Sequence, residues 1–159
     1  MFQHILIPTD FSPTSQAALR LGLELAIAHG TRLTLLHISE EFTARSLVDG
    51  EAMMIADDLI AFEEKRLDAA IWDLLVELAA RPTTADDGPR VIKRVMTGTP
   101  HQRILEVADE ILADAILMGT HGRHKVVDRL LGSTAERVLR HANCAVLVVK
   151  ADGYPIVRD

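Results

Sequence analysis

Short runs of consecutive apolar residues alternate along this chain with longer stretches in which apolar residues recur at helical spacing. Phe2 to Pro8 (FQHILIP) and Arg32 to Ile38 (RLTLLHI) are brief and bounded by turn-forming residues, as in strands buried on both faces of a sheet. Ala115 to Met118 (AILM) and Ala145 to Val149 (AVLVV) read the same way. Val91 to Met96 (VIKRVM) alternates instead, which predicts one half-exposed face near a sheet edge.

Between these runs lie helical signals. Ser12 is a helix N-cap followed by Pro13 in the first turn, Leu19, Leu23, Ala26 and Ile27 form one face, and Gly30 terminates the segment. Ile55, Leu59, Phe62, Ala70, Ile71, Leu74 and Leu78 recur at helical spacing up to a break near Arg81-Pro82. Thr99 to Gln102 reads as a capping box leading into Ile104, Leu105, Ala108, Ile111 and Leu112. Ser133 to Glu136 reads as a second capping box, opening a helix to about His141.

The alternation βαβαβαβαβ with right-handed crossovers predicts a single-domain α/β fold, an open five-stranded parallel sheet with helices on both faces. Ligands of such sheets sit beyond the carboxyl ends of the strands, where strand order reverses, so chemistry is expected after Pro8, Ile38, Met96, Met118 and Val149. Ser39 to Met54 is expected to be a mobile loop over that edge, and Thr83 to Pro89 a polar connector.

Composition adds limits. With 159 residues, 48% hydrophobic and 25% charged, the chain has enough apolar mass to fold without a disulfide or metal staple. The single cysteine, Cys144, cannot form an internal disulfide and is expected to be a packed small hydrophobe; with no signal-peptide pattern before His4 this predicts a cytoplasmic protein. No apolar run approaches the roughly 18 residues of a membrane span. A net charge of −6 argues against general nucleic-acid binding. Gly119 to Lys150 nevertheless carries Arg123, Lys125, Arg129, Arg137, Arg140 and Lys150 against Asp128 and Glu136, a local +4.

Within that basic stretch, Gly119-Thr120-His121-Gly122 follows the fourth strand, and Gly132-Ser133-Thr134 opens the next helix after nine intervening residues. The spacing G-x2-G-x9-G-S-T places glycines where backbone can approach a ligand, ahead of a helix start whose free N–H groups favour an anion. The local positive charge, with Arg123, His124 and Lys125 in the intervening loop, is then expected to serve phosphate groups. Other readings remain for individual residues: Asp10 organises a turn before Ser12-Pro13, His37 is a hydrogen-bonded core histidine, and Asp57, Asp58, Glu63 and Glu64 face water. His121 and His124 lack the further ligands that a zinc site requires.

This arrangement resembles the ATP-binding branch of the universal stress protein family, which has the same glycine spacing between its fourth strand and fourth helix. Ile5 to Ser12 (ILIPTDFS) resembles that family's first strand and Asp-containing turn, and Val138 to Val149 its last helix and strand. The likeness spans essentially the whole chain and is weakest from Phe42 to Ala85. It implies a Rossmann-like or flavodoxin-like fold, a nucleotide-binding domain over residues 1–150 and a C-terminal tail over 151–159. It also implies Pro8, Thr9 and Asp10 beside adenine and ribose, Ile38 against adenine, and Met118 and Gly119 at the nucleoside. His121, Gly122 and Arg123 would meet the phosphates, and Gly132, Ser133 and Thr134 the phosphate tail. The implied cofactor is ATP, with an accompanying Mg ion reaching the protein through Asp10.

Competing classes lack their signatures. The P-loop pattern, the dinucleotide fingerprint G-x-G-x-x-G and the nucleophile elbow G-x-S-x-G are absent from the sequence, and Val95-Met96-Thr97-Gly98 offers no acceptor aspartate for a receiver domain. A regulatory module that responds to ATP is the leading expectation, with a slow ATP hydrolase or phosphotransfer enzyme, and a structural stress protein with an empty site, as alternatives. No catalytic residue is assigned. Ala145 to Val149, uncharged and without proline, is expected to be an edge strand that pairs in a homodimer, away from the nucleotide site. Asp152 to Val157 would pack on the partner.

Overall fold

The computed structural model describes residues 2–39, 51–78, 88–122 and 131–151. Among the described residues nine elements follow one another: β1 (His4–Thr9), α1 (Pro13–His29), β2 (Arg32–Ser39), α2 (Glu51–Glu77), β3 (Val91–Thr97), α3 (Pro100–Glu110), β4 (Ala115–Gly119), α4 (Ser133–His141) and β5 (Ala145–Val149). The strands are all parallel in the order β3-β2-β1-β4-β5. Strand order therefore reverses between β1 and β4, the central pair. All five expected strands form, with β1 starting at His4 and extending one residue past Pro8. As the alternation in VIKRVM predicts, β3 lies at an edge and is half-buried.

Each strand sends alternate residues to opposite faces and so builds two cores. Ile5, Ile7, Leu33, Leu35 and Leu117 pack with Leu19 and Leu23 of α1 and with Leu67 and Leu75 of α2. Leu6, Leu36, Ile116 and Met118 pack on the other face with Ile104 and Val107 of α3 and Val138 of α4. Cys144 is half-buried beside this second core, and burial raises its thiol pKa, as expected of a packing residue. Among the described residues no helix is long and apolar enough to cross a membrane.

Helix α1 begins and ends as its sequence predicts. The Ser12 hydroxyl accepts from the Ser15 N–H, Pro13 occupies the first turn, and Gly30 closes the helix in the left-handed conformation at φ 67°. Other expectations need correction. Ile27 and Phe62 are exposed, because the sheet-facing stripes of α1 and α2 run through Leu19, Leu23 and Ala26 and through Leu67, Ile71 and Leu75. Neither capping box forms. Thr99 caps α3 without a side-chain bond, its carbonyl taking the N–H groups of Gln102 and Arg103. Gly132, not Ser133, is the N-cap of α4. Helix α3 stops at Glu110, leaving Leu112 outside it and 83% exposed. Of the expected loop Ser39 to Met54, Ser39 ends β2 and Glu51 to Met54 are helical, while residues 40–50 lie outside the described residues. So do residues 83–87 of the connector, the break at Arg81-Pro82, the side chains of Ile55 and Asp57, and Asp152 to Val157 of the tail.

Candidate functional site

The strand-order reversal brings the carboxyl end of β1 beside that of β4. Register pairs between these strands are Ile5 with Ala115 and Leu6 with Ile116, whereas β1 stays paired to β2 as far as Thr9 with His37. Pro8 brings no N–H to the seam with β4. This point, where such sheets place their ligands, is flanked by the turn after β1 and the glycine loop after β4.

On the first side, Asp10 Oδ1 accepts the Ser12 N–H at 3.0 Å, so Asp10 does organise the turn that launches α1. Thr9 is buried; its hydroxyl lies 3.1 Å from Ser15 Oγ and accepts the Phe11 N–H at 3.1 Å. His37 is buried, with Nδ1 2.9 Å from the Thr9 carbonyl, which fits the core-histidine reading. Ile38, half-buried, packs into the second core next to Met96.

On the second side, the glycine loop is tied to α1. The Thr14 and Ser12 hydroxyls both donate to the His121 carbonyl, the latter at 3.4 Å. Gly119 serves this junction: a Cβ there would come within 2.5 Å of Thr14 Oγ1 and 2.7 Å of the Thr14 carbonyl carbon. Gly122 is exposed and faces the first side, since its Cβ would stand 2.5 Å from Asp10 Oδ2. The Gly132 N–H donates to the Thr120 carbonyl at 2.7 Å, bringing the start of α4 to the same loop. The first-turn N–H groups of α4, like those of any helix, have no intrahelical partner, and Gly132 has no side chain to cap them; Ser133 is exposed beside them while Thr134 is half-buried.

These features bring Pro8, Thr9, Asp10, Met118, Gly119, His121, Gly122, Gly132, Ser133 and Thr134 to one end of the β1–β4 seam, with Ile38 at the end of the neighbouring strand. Met118 and His121 are buried. The bare helix start and the open backbone at Gly122 fit an anionic ligand with several acceptor oxygens.

Arg123, His124, Lys125 and Arg129 lie outside the described residues. The remaining basic residues do not gather at the helix start. Arg137 and Arg140 are about 6 and 10 Å further along the α4 axis than Ser133. Arg140 pairs with Glu136 at 2.9 Å, and Arg137 lies 3.5 Å from His101 Nδ1. The two arginines of α4 are therefore engaged along the helix and not gathered at its start. The expected separation of β5 from the site is also overturned: the Thr120 N–H donates to the Val149 carbonyl at 3.0 Å, and Gly119 pairs with Val149.

Four residues near these elements escape the motif reading. Ser12 and Thr14 hold the His121 carbonyl, and the hydroxyl-rich run Ser12-Pro13-Thr14-Ser15 was the available signal. Glu63, expected to face water, is only 7% exposed and bonds to Arg66, whereas Asp58 and Glu64 are exposed as expected. Glu63 falls four residues before Leu67 on the buried stripe, a spacing readable in advance. Thr120 Oγ1 is the buried side-chain polar atom without a hydrogen-bond partner among the described residues.

Comparison with known proteins agrees with this architecture. The Universal stress protein family model matches residues 1–150. Universal stress protein MJ0577 of Methanocaldococcus jannaschii is 29% identical over 156 residues, which cover 94% of this chain and 96% of that protein. Its solved structure has a TM-score of 0.73, with 96% of this chain and 99% of that one covered. A universal stress protein solved in complex with cAMP shares the fold at 23% identity and TM-score 0.59, over 95% and 98% of the two chains. The universal stress protein from Archaeoglobus fulgidus solved with dAMP does so at 20% identity and TM-score 0.57, over 93% and 98%. Sheet order, two-sided helical packing and a family match over nearly the whole chain lead to one conclusion: this chain belongs to the universal stress protein family.

Proposed function

We propose that this protein is a cytoplasmic, ATP-binding regulatory module of the stress response, whose assembly responds to the bound nucleotide. The observation that carries the reading is the exposed backbone of Gly122, set against Asp10 and next to the uncapped start of α4. Such a cradle suits a polyphosphate on one side and a hydrogen-bonded nucleoside on the other. Pro8, Thr9, Asp10, Ile38, Met118 and Gly119 would border the nucleoside. His121, Gly122 and Arg123 would line the phosphates, with Gly132, Ser133 and Thr134 at their far end. Two family members of the same fold were solved with adenine nucleotides, cAMP and dAMP, which supports an adenine ligand. A Mg ion accompanying the triphosphate would meet the protein through Asp10.

Regulation is favoured over turnover because Asp10, the acidic group that the motif supplies, already spends one oxygen on the Ser12 N–H. Phosphoryl transfer needs a placed nucleophile as well as charge neutralisation. We expect hydrolysis to stay below about 1 per second, the low end of enzyme rates. The assembly in question is a homodimer through β5, and the bond from Thr120 to Val149 links the glycine loop to that edge.

Calorimetric titration with ATP tests the site. Gly122→Val should weaken binding at least tenfold, about 1.4 kcal/mol, in a variant that remains folded. An unchanged isotherm would move the site elsewhere.

A further inference from the structure

Glu63 is a carboxylate buried on a helix whose contact with the sheet is already made by Leu67 and Leu75. A buried carboxylate is costly unless paired, and an apolar residue would serve the core at least as well. Its partners lead toward the site. Arg66 NH1 donates to both Glu63 oxygens, at 3.0 and 2.7 Å. His37 Nε2 lies 3.7 Å from Glu63 Oε2, while the Nδ1 of the same ring bonds to the Thr9 carbonyl at the end of β1. The Arg66 guanidinium sits 3.8 Å above the centre of the Phe11 ring, and that ring lies 4.8 Å from His37.

Phe11 is itself unusual, with φ at 61°, in the left-handed region that bulky residues avoid. Such a conformation persists where surrounding contacts over-determine it. Here the ring is held between Arg66 and His37, and the residue immediately before it is Asp10. The orientation of residue 11 therefore sets the direction of the Asp10 carboxylate, both toward the Ser12 N–H and toward Gly122.

We propose that Glu63 and Arg66 of α2 are positioning residues for the nucleotide site, acting on Asp10 by clamping the Phe11 ring against His37. The inference rests on the nucleotide-binding reading for its functional consequence, though the clamp itself is a property of the ligand-free protein. Glu63 fixes the guanidinium, the guanidinium fixes the ring, and the ring holds the turn in the conformation that presents Asp10.

A cycle on the full chain tests it, using ATP titration and urea midpoints together. Arg66→Ala should weaken ATP binding at least fivefold, and Glu63→Gln should do so in the same direction. Phe11→Gly, which takes the left-handed conformation without steric cost, should bind at least fivefold more weakly because the clamp is gone. Adding Arg66→Ala to Phe11→Gly should change affinity less than twofold, and Phe11→Tyr, which keeps a ring, should bind within twofold of the unmodified protein. Equal losses from Arg66→Ala with and without the Phe11 ring would overturn the proposal, since Arg66 would then act by another route. In the ligand-free protein, Arg66→Ala should also shift the amide resonances of Asp10 and Ser12. Unmoved resonances refute the clamp even if ATP binding itself fails, whereas moved resonances without ATP binding refute only the ligand assignment.

Discussion

Asp10 does two things in one side chain. Oδ1 holds the Ser12 N–H, and Oδ2 borders the space beside Gly122. The ligand role proposed for Asp10 is therefore compatible with its turn role, because the geometry that closes the turn leaves the second oxygen facing Gly122. Asp10→Ala should lose a hydrogen bond to a charged group, roughly 1.5–3 kcal/mol of ATP affinity. Calorimetry on the folded variant checks this, and normal affinity would leave Asp10 with the turn alone. The flanking glycines divide the labour in a way their spacing does not disclose. Gly119 makes room for Thr14 of α1, and Gly122 keeps the mouth open.

Helix ends and strand starts set stability at the next scale. After α3 the chain closes as a Schellman motif: the Ala113 N–H donates to the Ala108 carbonyl at 2.9 Å and the Leu112 N–H to Asp109 at 3.2 Å. Leu112 holds the left-handed position, φ 51°, where glycine is usual. Leu112→Gly should therefore stabilise the protein by roughly 0.5–1 kcal/mol, the steric relief exceeding the extra chain entropy of glycine. A urea midpoint that falls would contradict it. Two residues on, Asp114 ties the start of β4 to that of β1 by accepting the N–H groups of His4 and Gln3 at 2.7 and 2.6 Å. Those bonds, His4 first, hold its carboxyl below the ordinary 3.8. The unfolded chain then takes up this proton first as pH falls, so the contribution is present above about 3.8 and lost below it. His4 is held below its ordinary 6.5 by burial and then by Arg32, so the unfolded chain again binds the proton more readily and stability declines as pH falls below 6.5. Urea midpoints from pH 7 to pH 3 should show Asp114→Asn flattening the lower part of that decline and His4→Gln the upper part; unchanged slopes would dismiss both.

Across the whole molecule, the two edges of the sheet are unlike. β3 carries Lys93 and Arg94, paired with Asp68 and Glu110, and such charges discourage edge-to-edge pairing. β5 is Ala-Val-Leu-Val-Val and has no charge along its length. The homodimer we propose therefore uses β5, with open N–H and C=O groups satisfied across a two-fold axis. Val148→Lys should weaken that dimer. Because Val149 bonds to Thr120, the same substitution should also alter ATP affinity, a coupling that physical separation of the two regions would not produce. Sedimentation of the unmodified protein as a 17.5 kDa particle at tens of micromolar would exclude the dimer under those conditions.

Much of this protein is legible from local pattern alone. Five strands, the Ser12-Pro13 start and Gly30 end of α1 and the edge position of VIKRVM follow from periodicity, turn chemistry and crossover handedness, which act over a few residues or constrain topology globally, whereas the grouping of Asp10 with the glycine loop is what the family resemblance implies. What local pattern misjudges are the outcomes of long-range packing. Ile27 and Phe62 sit at helical spacing yet face outward, and Glu63 looks solvent-facing yet is buried, because helix rotation is settled by the surface each helix meets. Ser133 loses its expected cap role to Gly132, and Arg137 and Arg140 of α4 engage His101 and Glu136 along the helix. The contacts around the candidate site join Thr14 to His121 across 107 residues and Glu63 to His37 across 26. No window along the chain contains both partners, so only the folded sheet, by bringing the ends of β1, β2 and β4 together, makes these interactions exist.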